Sequence, residues 1–361
     1  MFLANGVAVA SFVSRIPDVQ VALGLGDATL GLVLTGISFG VLTGLTTAGR
    51  LIARTGSRTP ILLGATVVVL ALPTTGLAPG GLGLAVALFA TGFGGSTMDV
   101  GMNAQGVGVE RGYARSIIVG FHAAWSVGTL LGALGGLVAT TTDTSVLRHL
   151  SIVAASIALL TGVSARWLRI ADRAAVGTPP RFAVPRGPLL PLALVALAAA
   201  LGESSAGNWS GVHLRDTVGV VGSPVTWGYV AYTAAMVTSR VVGDRLTRHL
   251  GVQRMVTGGG LLAGTGFLLV AAVPALPAAL AGFAMVGFGL GSTVPLVFGR
   301  AGRVARNPGE GVAAVASVGY LAYLVGPPVI GAIAGSVGLP VAFGLLAVVL
   351  VLLTRRSLPA E

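Results

Sequence analysis

The sequence contains no cysteine and no lysine. Without cysteine the chain can form no disulfide and no thiolate metal site, and it has no thiol nucleophile. Without lysine it cannot build a phosphate-binding P-loop, so we interpret the glycine-rich stretches around Gly92 and Gly287 as helix-packing surfaces. Its four histidines show no metal-ligand spacing. We therefore expect neither a metal nor another cofactor.

Charged residues are also scarce, at 9% of the chain against about 25% in an average soluble domain. Charge-free stretches lie between Asp27 and Arg50, Arg58 and Asp99, Arg115 and Asp143, Arg148 and Arg166, Asp216 and Arg240, Arg254 and Arg300, and Glu310 and Arg355. A bilayer core takes roughly 20 apolar residues as a helix, so each stretch holds one span and the three longest hold two. The sequence predicts a membrane protein, and its net charge of +11 does not indicate a nucleic-acid partner.

Apolar runs and the Gly/Pro connectors between them predict an all-α fold with twelve transmembrane helices. The predicted helices span residues 1–14, 28–50, 60–78, 82–106, 117–139, 147–168, 189–208, 225–244, 255–273, 278–299, 311–335 and 339–354. The first is short, since 14 residues reach only about 20 Å at 1.5 Å per residue. We expect the natural start to lie upstream of Met1. A truncated first helix or a cleaved signal peptide is the alternative, although no basic n-region or A-x-A-like site is present.

The arginines predict the orientation. If the N-terminus is cytoplasmic, 19 of the 22 arginines fall in the even-numbered loops or the long central segment. Arg240 and Arg245 are counted among these cytoplasmic residues. Only Arg15, Arg148 and Arg215 fall on the opposite side. The positive-inside rule then places both termini in the cytoplasm of a cell, in the plasma or inner membrane.

Three short echoes in the same order predict an internal duplication. Arg50-Leu51 with Gly56 returns as Arg245-Leu246 with Gly251, Gly92-Phe93-Gly94 returns as Gly287-Phe288-Gly289, and Trp125-Ser-Val-Gly128 returns as Tyr323-Leu-Val-Gly326, at offsets of 195 to 198. The predicted organisation is a six-helix bundle over 1–170, a cytoplasmic linker over 171–188 and a second six-helix bundle over 189–361. Parallel repeats of this kind are typical of secondary transporters with a central site.

On these features the sequence resembles the major facilitator superfamily (MFS) of transporters along essentially its whole length. The family signature G-x-x-x-D-R-x-G-R-R/K is matched at Gly49, Arg54, Gly56 and Arg58, whereas Ala53 replaces the acid. In the family that acid helps to latch the inner gate. The second copy keeps an acid, Asp244, one helical turn earlier. The resemblance implies a gating loop at Gly49, Arg50, Arg54, Gly56 and Arg58, echoed by Asp244, Arg245 and Gly251.

Other segments are similar to a narrower branch, the fucose-permease-like and MosC-like transporters. These segments are Asn5-Gly6, Ser14 to Asp18, Met98-Asp99 with Met102 to Gln105, Glu110-Arg111, Phe121-His122 with Trp125-Ser126, and Asn208-Trp209 with Leu214 to Asp216. The similarity implies uptake of a sugar, a polyol or an inositol-like compound.

Two acids fall inside predicted spans, where an ionisable residue costs about 2.5–3.5 kcal/mol on insertion scales. Glu203 lies in the seventh predicted helix and can exchange protons there; the alternative is a permanently protonated packing residue. Asp99 lies in the fourth, with Asn103 one turn on and His122 at a similar depth on the next helix. This second group is either a proton relay or an interhelical latch, the latter worth about 0.6 kcal/mol per polar pair.

Further polar and aromatic side chains are candidates for a substrate cavity. They are Asn5, Asn103, Trp125, Asn208, Tyr229, Tyr232, Tyr320 and Tyr323. Amphipathic aromatic rings suit hydroxylated or ring-shaped cargo. Trp167, Trp209 and Trp227 lie near predicted span ends, where we expect them in interfacial belts.

Together these observations predict a secondary transporter that works by alternating access, with a small-molecule substrate and protons as partners, in the lipid bilayer, as a monomer. We do not expect an enzyme, since no nucleophile, metal site or cluster of acids is evident. An efflux pump for a drug or metabolite, or a non-transporting membrane receptor or assembly protein, remains as an alternative.

Overall fold

The computed structural model describes residues 1–110, 112–113, 117–168, 184–305 and 307–355. Within these ranges every regular element is helical. The α-helices are α1 Phe2–Val13, α2 Ile16–Ala22, α3 Asp27–Thr55, α4 Arg58–Thr74, α5 Gly81–Glu110, α6 Ile118–Thr141, α7 Val146–Ala165, α8 Leu189–Asp216, α9 Trp227–Leu250, α10 Val252–Ala272, α11 Leu276–Leu290, α12 Thr293–Val304, α13 Pro308–Val337 and α14 Leu339–Arg355, with a 3-10 helix, Ser223–Thr226, before α9.

Eight helical stretches in the described part of the chain are long and apolar enough to cross a membrane. The helices α1, α4 and α14 are apolar but shorter. The 24-residue helix α9 is long enough but carries Arg240, Asp244 and Arg245 among its residues. The prediction of an all-helical membrane protein is confirmed, while the total of twelve spans stays a prediction.

Several helices run past the ends that the apolar runs predicted. The helix α3 ends at Thr55 rather than at residue 50, and α9 ends at Leu250 rather than at residue 244. The predicted gating loop is therefore mostly helix, a correction that applies to Arg54 in α3, Arg58 in α4 and Arg245 in α9. Gly49, Arg50 and Asp244 lie in these helices as the predicted spans 28–50 and 225–244 already had them. Arginine is a good helix former, so the first charge after a span does not end the helix.

Glycines in the left-handed region end both of these long helices. Gly56 has φ 80° and Gly251 has φ 79°. Their N–H groups donate to the carbonyls of Ile52 and Thr247, each at 2.9 Å, which satisfies one orphan carbonyl at each helix end. The connections that follow are Gly56 with Ser57 in one case and Gly251 alone in the other.

Two further predicted spans are built differently. The first, predicted over 1–14, is α1 followed directly by the short helix α2 after Ser14 and Arg15. The tenth, predicted over 278–299, is divided into α11 and α12 by a break at Gly291 and Ser292. The apolar run continues across this break, which is why periodicity alone did not reveal it.

The chain divides into two compact units, Met1–Pro179 and Pro180–Glu361. Most of the linker predicted over 171–188 lies outside the described residues. In the first unit the most extensive helix pairings are α3 with α5, α4 with α5, α1 with α6, and α4 with α7. In the second unit they are α9 with α11, α10 with α11, α8 with α13, and α10 with α14. If the helices of each unit are numbered in chain order without the short α2 and α12, the same pairs pack together in both units. These are the second with the fourth, the third with the fourth, the first with the fifth and the third with the sixth.

Close backbone approaches at glycine also recur in the two units. In the first, Gly64 of α4 and Gly94 of α5 each lie so close to the other's carbonyl oxygen that a Cβ would collide with it. In the second, Gly259 of α10 and Gly289 of α11 lie in the same way, each 195 positions later. Small residues permit this approach where bilayer lipid removes the hydrophobic drive for helix association.

A close backbone approach at glycine also recurs between α3 and α5 in the first unit and between α9 and α11 in the second. Gly92 lies against the carbonyl of Ile37, and Gly287 lies against the carbonyl of Tyr232. Both members of this contact are again displaced by 195 positions. The glycine-rich stretches are thus packing surfaces, as the sequence predicted.

We predict that Gly259→Ala destabilises the protein by about 1–3 kcal/mol, because its Cβ would press on the Gly289 carbonyl and force the helices apart. Gly258→Ala is the matched control, since nothing lies within 4 Å of a Cβ there. It should leave stability unchanged or raise it by up to about 1 kcal/mol through helix propensity. Thermal unfolding of the detergent-purified variants checks this, and equal effects of the two substitutions would contradict the packing argument.

Candidate functional site

Glu203 lies near the middle of the 28-residue helix α8. The Tyr323 hydroxyl of α13 donates a hydrogen bond of 2.9 Å to its Oε2. Its Oε1 is shielded from solvent and accepts no hydrogen bond from any described residue. One oxygen of this carboxyl group is therefore engaged by the protein, and the other has unused hydrogen-bonding capacity.

Two tyrosines of α9 extend this group. Tyr229 and Tyr232 are 7% and 4% exposed, and their ring centroids are 6.2 Å apart. Tyr232 lies near enough to Glu203 and Tyr229 to interact with both electrostatically, and its hydroxyl donates to the Met236 sulfur at 3.6 Å. The phenols of Tyr323 and Tyr232 thus both interact with one half-buried carboxyl group, and Tyr229 lies beside Tyr232.

Arg240 is the site residue whose role sequence analysis did not predict. It fell within the predicted span 225–244 but was counted only among the cytoplasmic arginines; it lies within α9 and is half-buried. Its charge interacts with Glu203, Tyr232 and Tyr323. Its place beside Glu203 was not predicted because Arg240 was used only as the edge of a charge-free stretch. The apolar Val241 and Val242 that follow it were the signal that Arg240 lies inside the span rather than at its edge.

The guanidinium of Arg240 also holds the break between α11 and α12. Its Nε donates to the Gly291 carbonyl at 3.1 Å. Carbonyls at a helix C-terminus lack intrahelical partners, and a cation there is favoured by the helix dipole. Nearby, the Ser292 hydroxyl donates to the Ser239 carbonyl at 3.0 Å. Arg240 therefore links the broken helix to Glu203, Tyr232 and Tyr323. These three residues and Arg240 form what we call the Glu203 group.

In the first unit, Asp99 and Asn103 form the group that sequence spacing predicted. The Asn103 amide donates to the Asp99 carboxylate at 3.1 Å and to the Asp99 carbonyl at 2.9 Å. His122 lies edge-on to Phe2, with ring centroids 5.4 Å apart. Its helix α6 packs mainly on α1 rather than on α5. The relay between Asp99 and His122 stays a prediction.

Asn5 and Trp125 form a second polar pair of this unit. The Trp125 indole N–H donates to the Asn5 Oδ1 at 3.0 Å, and the Asn5 amide donates to the Gly95 carbonyl at 2.9 Å. Asn5 is 7% exposed. Its side chain therefore joins α1, α5 and α6 inside the first unit.

The remaining cavity candidates are Asn208 of α8 and Tyr320 of α13. Asn208 donates to Ser204 of the same helix at 3.2 Å, and Tyr320 is 45% exposed. Trp209 is fully buried, so the expectation of an interfacial belt is wrong for that residue. It packs inside the unit because α8 continues past residue 208, which brings Trp209 within the helix rather than at its end.

The gating residues contribute no ion pair in the described structure. Asp244 and Arg245 are exposed side by side on α9, as are Arg50 and Arg54 on α3. No salt bridge connects Asp244 to any described basic residue. A gating role of these residues stays a prediction.

Comparison with known proteins identifies the family. The chain is 35% identical to an uncharacterised transporter of Sinorhizobium fredii, y4wD, over 92% of this chain and 89% of the relative. It is 33% identical to an uncharacterised MFS-type transporter of Yersinia pestis, over 97% and 91%. The chain belongs to the major facilitator superfamily. It is also 30% identical to the membrane protein MosC of Rhizobium meliloti, over 94% and 83%, while no family model matches it.

Solved MFS structures share the fold. A variant of the nucleoside transporter NupG matches with a TM-score of 0.78 at 11% identity, over 98% of this chain and 97% of that one. The human organic anion transporter MFSD10 matches with a TM-score of 0.64 at 18% identity, over 98% and 97%. The sequence relatives of Sinorhizobium fredii and Yersinia pestis are named as transporters rather than enzymes, which confirms that prediction for this family member.

We predict that Arg240→Gln lowers the free energy of unfolding by about 1–3 kcal/mol, because the Gly291 carbonyl loses its donor. Its effect should not add to that of Glu203→Gln, since interacting charges couple by about 0.5–3 kcal/mol in a double-mutant cycle. Thermal or denaturant unfolding in detergent measures the cycle. Arg245→Gln, exposed on the same helix, is the control and should change stability by less than about 0.5 kcal/mol. Strict additivity would show that Arg240 and Glu203 act independently.

Proposed function

We propose that this protein moves a small hydroxylated solute, a sugar, polyol or inositol-like compound, across the membrane by alternating access coupled to protons. The observation that carries this proposal is the Glu203 group, in which a mid-helix carboxyl group meets Tyr323, Tyr232 and Arg240. Transporter relatives support a small-molecule substrate in general. The cargo class and the coupling ion are our inference.

Proton coupling is supported by the position of Glu203. An acid inside a span is expensive and persists where it serves a function. The Tyr323 hydrogen bond and the Arg240 charge both act on this carboxyl group. A change in either contact during the transport cycle would change how readily the carboxyl group holds a proton. Asp99, with Asn103 beside it, is the second proposed proton carrier, and His122 assists it.

Hydroxylated cargo is supported by the hydrogen-bonding groups that accompany the acid. Tyr323, Tyr232 and Tyr229 offer phenol hydroxyls that both donate and accept, as sugar hydroxyls do. Their rings also provide flat apolar surface for a carbon ring. Asn5, Trp125, Asn103, Asn208 and Tyr320 complete the set that we propose for substrate contact.

A second candidate cargo is favoured by Arg240. A guanidinium group near a protonatable acid can bind a carboxylate of the solute once that acid is neutral. A sugar acid would then suit the same group of residues better than a neutral polyol. Both candidates use the same transport cycle.

For the architecture we propose twelve spans arranged as two repeats, with both termini in the cytoplasm and the protein monomeric in the plasma or inner membrane. The repeat is supported by glycine contacts that recur at an offset of 195 and by the repeated order of helix pairings. The orientation rests on the arginine distribution.

The cargo is tested by the melting temperature of the detergent-purified protein against sugars, polyols, sugar acids, amino acids and lipophilic cations. A ligand that binds the folded state raises the melting temperature, by an amount set by its concentration relative to Kd. We expect a rise with polyols or sugars, and a larger rise with a sugar acid would select the second candidate. A rise with lipophilic cations alone would contradict uptake of a hydroxylated solute and favour an efflux pump.

Coupling is tested in proteoliposomes with Glu203→Gln and Asp99→Asn. We expect each variant to lose proton-driven accumulation by at least tenfold while Glu203→Gln retains solute exchange, because an amide cannot carry the proton but can still hydrogen-bond. Glu310→Gln, an exposed acid in the first turn of α13, is the control and should accumulate solute normally. If both variants keep a pH-dependent rate equal to that of the unmodified protein, these acids are not the carriers.

A further inference from the structure

The two polar pairs described above occupy matching positions in the two units. In each unit the first membrane helix of the proposed repeat packs on the fifth. These pairs are α1 with α6 and α8 with α13. Four positions recur there at an offset of 198, namely Leu3, Asn5, Trp125 and Gly128, which correspond to Leu201, Glu203, Tyr323 and Gly326. Gly128 lies against the Leu3 carbonyl, whereas Gly326 lies against the Leu201 side chain.

The hydrogen bonds correspond as well as the positions. Trp125 donates to Asn5 at 3.0 Å, and Tyr323 donates to Glu203 at 2.9 Å. In both units an aromatic donor on the later helix meets a side-chain oxygen on the earlier one. The pairs differ in charge, because Asn5 carries an amide where Glu203 carries a carboxyl group.

Their remaining hydrogen-bonding capacity also differs. Asn5 has two N–H donors and two oxygen lone pairs, and within the described residues it uses one donor on Gly95 and one lone pair on Trp125. One donor and one acceptor are left, which is the complement of a hydroxyl group. Glu203 instead keeps a whole oxygen, Oε1, without a described partner.

We propose that Asn5 and Trp125 form the uncharged counterpart of the Glu203–Tyr323 pair, and that the two pairs divide the work of transport. The Asn5–Trp125 pair binds a hydroxyl group of the solute and sets affinity without exchanging a proton. The Glu203–Tyr323 pair exchanges the proton. This inference rests on the proposed proton-coupled transport of a hydroxylated solute and adds a role for the first unit.

The hydrogen bond from Asn5 to the Gly95 carbonyl makes the proposed binding of a solute hydroxyl specific to an amide at this position. An ionised carboxylate at position 5 would face the Gly95 carbonyl oxygen and repel it, whereas a neutral carboxylic acid can donate to it as the amide does. Asn5→Asp therefore preserves both hydrogen bonds only in its protonated form. The substitution has the same shape as asparagine, so it tests charge rather than packing.

The experiment uses the full chain in proteoliposomes with radiolabelled myo-inositol as the probe. It measures KM, kcat and the number of protons moved per solute from the reversal potential. We expect Asn5→Ala to raise KM at least tenfold with the proton ratio unchanged, and Glu203→Gln to abolish proton coupling with KM changed less than threefold. Asn5→Asp should make KM rise with pH without a parallel fall in the melting temperature of the solute-free protein, whereas loss of a purely structural hydrogen bond to Gly95 would lower the melting temperature over the same pH range. Asn307→Asp, at an exposed helix N-cap, is the control and should match the unmodified protein.

The outcomes separate this inference from the proposed function. If unmodified protein shows no proton-driven myo-inositol uptake, the proposed function fails for this cargo and the inference fails with it. If uptake is present but Asn5→Ala and Asn5→Asp change only kcat or only the melting temperature, the proposed function stands and the division of work is overturned. Should Asn5→Ala fail to fold, the pH dependence of KM in Asn5→Asp alone decides.

Discussion

Each unit of this protein depends on helix backbones approaching one another closely at glycine. Within a bilayer, helices gain little from burying apolar side chains against each other, because lipid is equally apolar. Contact between backbones replaces that gain with dense packing. At Gly64 with Gly94, and at Gly259 with Gly289, no Cβ can be accommodated without movement. Each such contact fixes the depth at which the paired helices meet, and therefore the depth of every side chain along them.

Fixed helix depths explain how so few polar residues can form defined groups. Glu203 reaches Tyr323 because α8 and α13 are held in one register, and Asn5 reaches both Trp125 and Gly95 because α1 packs on α6 near α5. A shift of one residue along a helix turns a side chain by about 100°, which would separate either pair. In the first unit a glycine contact accompanies the polar pair, since Gly128 lies against the Leu3 carbonyl two residues from Asn5; in the second unit the Leu201 side chain fills the corresponding place against Gly326.

The sequence predicted the features that depend on composition, but it did not predict those that depend on helix ends or on contacts between helices. The charge-free stretches gave the membrane class and most of the helices, since bilayer thickness sets a length that any sequence must satisfy. The acid at Glu203 was recognised because charge inside a span is rare. The role of Arg240 was missed because its partners, the Gly291 carbonyl and Glu203, lie on other helices, and a contact between helices leaves no mark in the spacing of one segment. The break before α12 was missed for a related reason, since periodicity does not register a lost hydrogen bond.

The break itself gives the second unit a property that the first lacks. The helix α5 continues without interruption from Gly81 to Glu110, whereas its counterpart is divided at Gly291 and Ser292. A divided helix leaves a backbone carbonyl to be satisfied from outside, and here Arg240 satisfies it while also interacting with Glu203. A change of charge on Glu203 therefore acts on the group that holds the broken helix. The corresponding residue of the first unit, Asn5, carries an amide and no charge, so the proposed response to a proton belongs to the second unit.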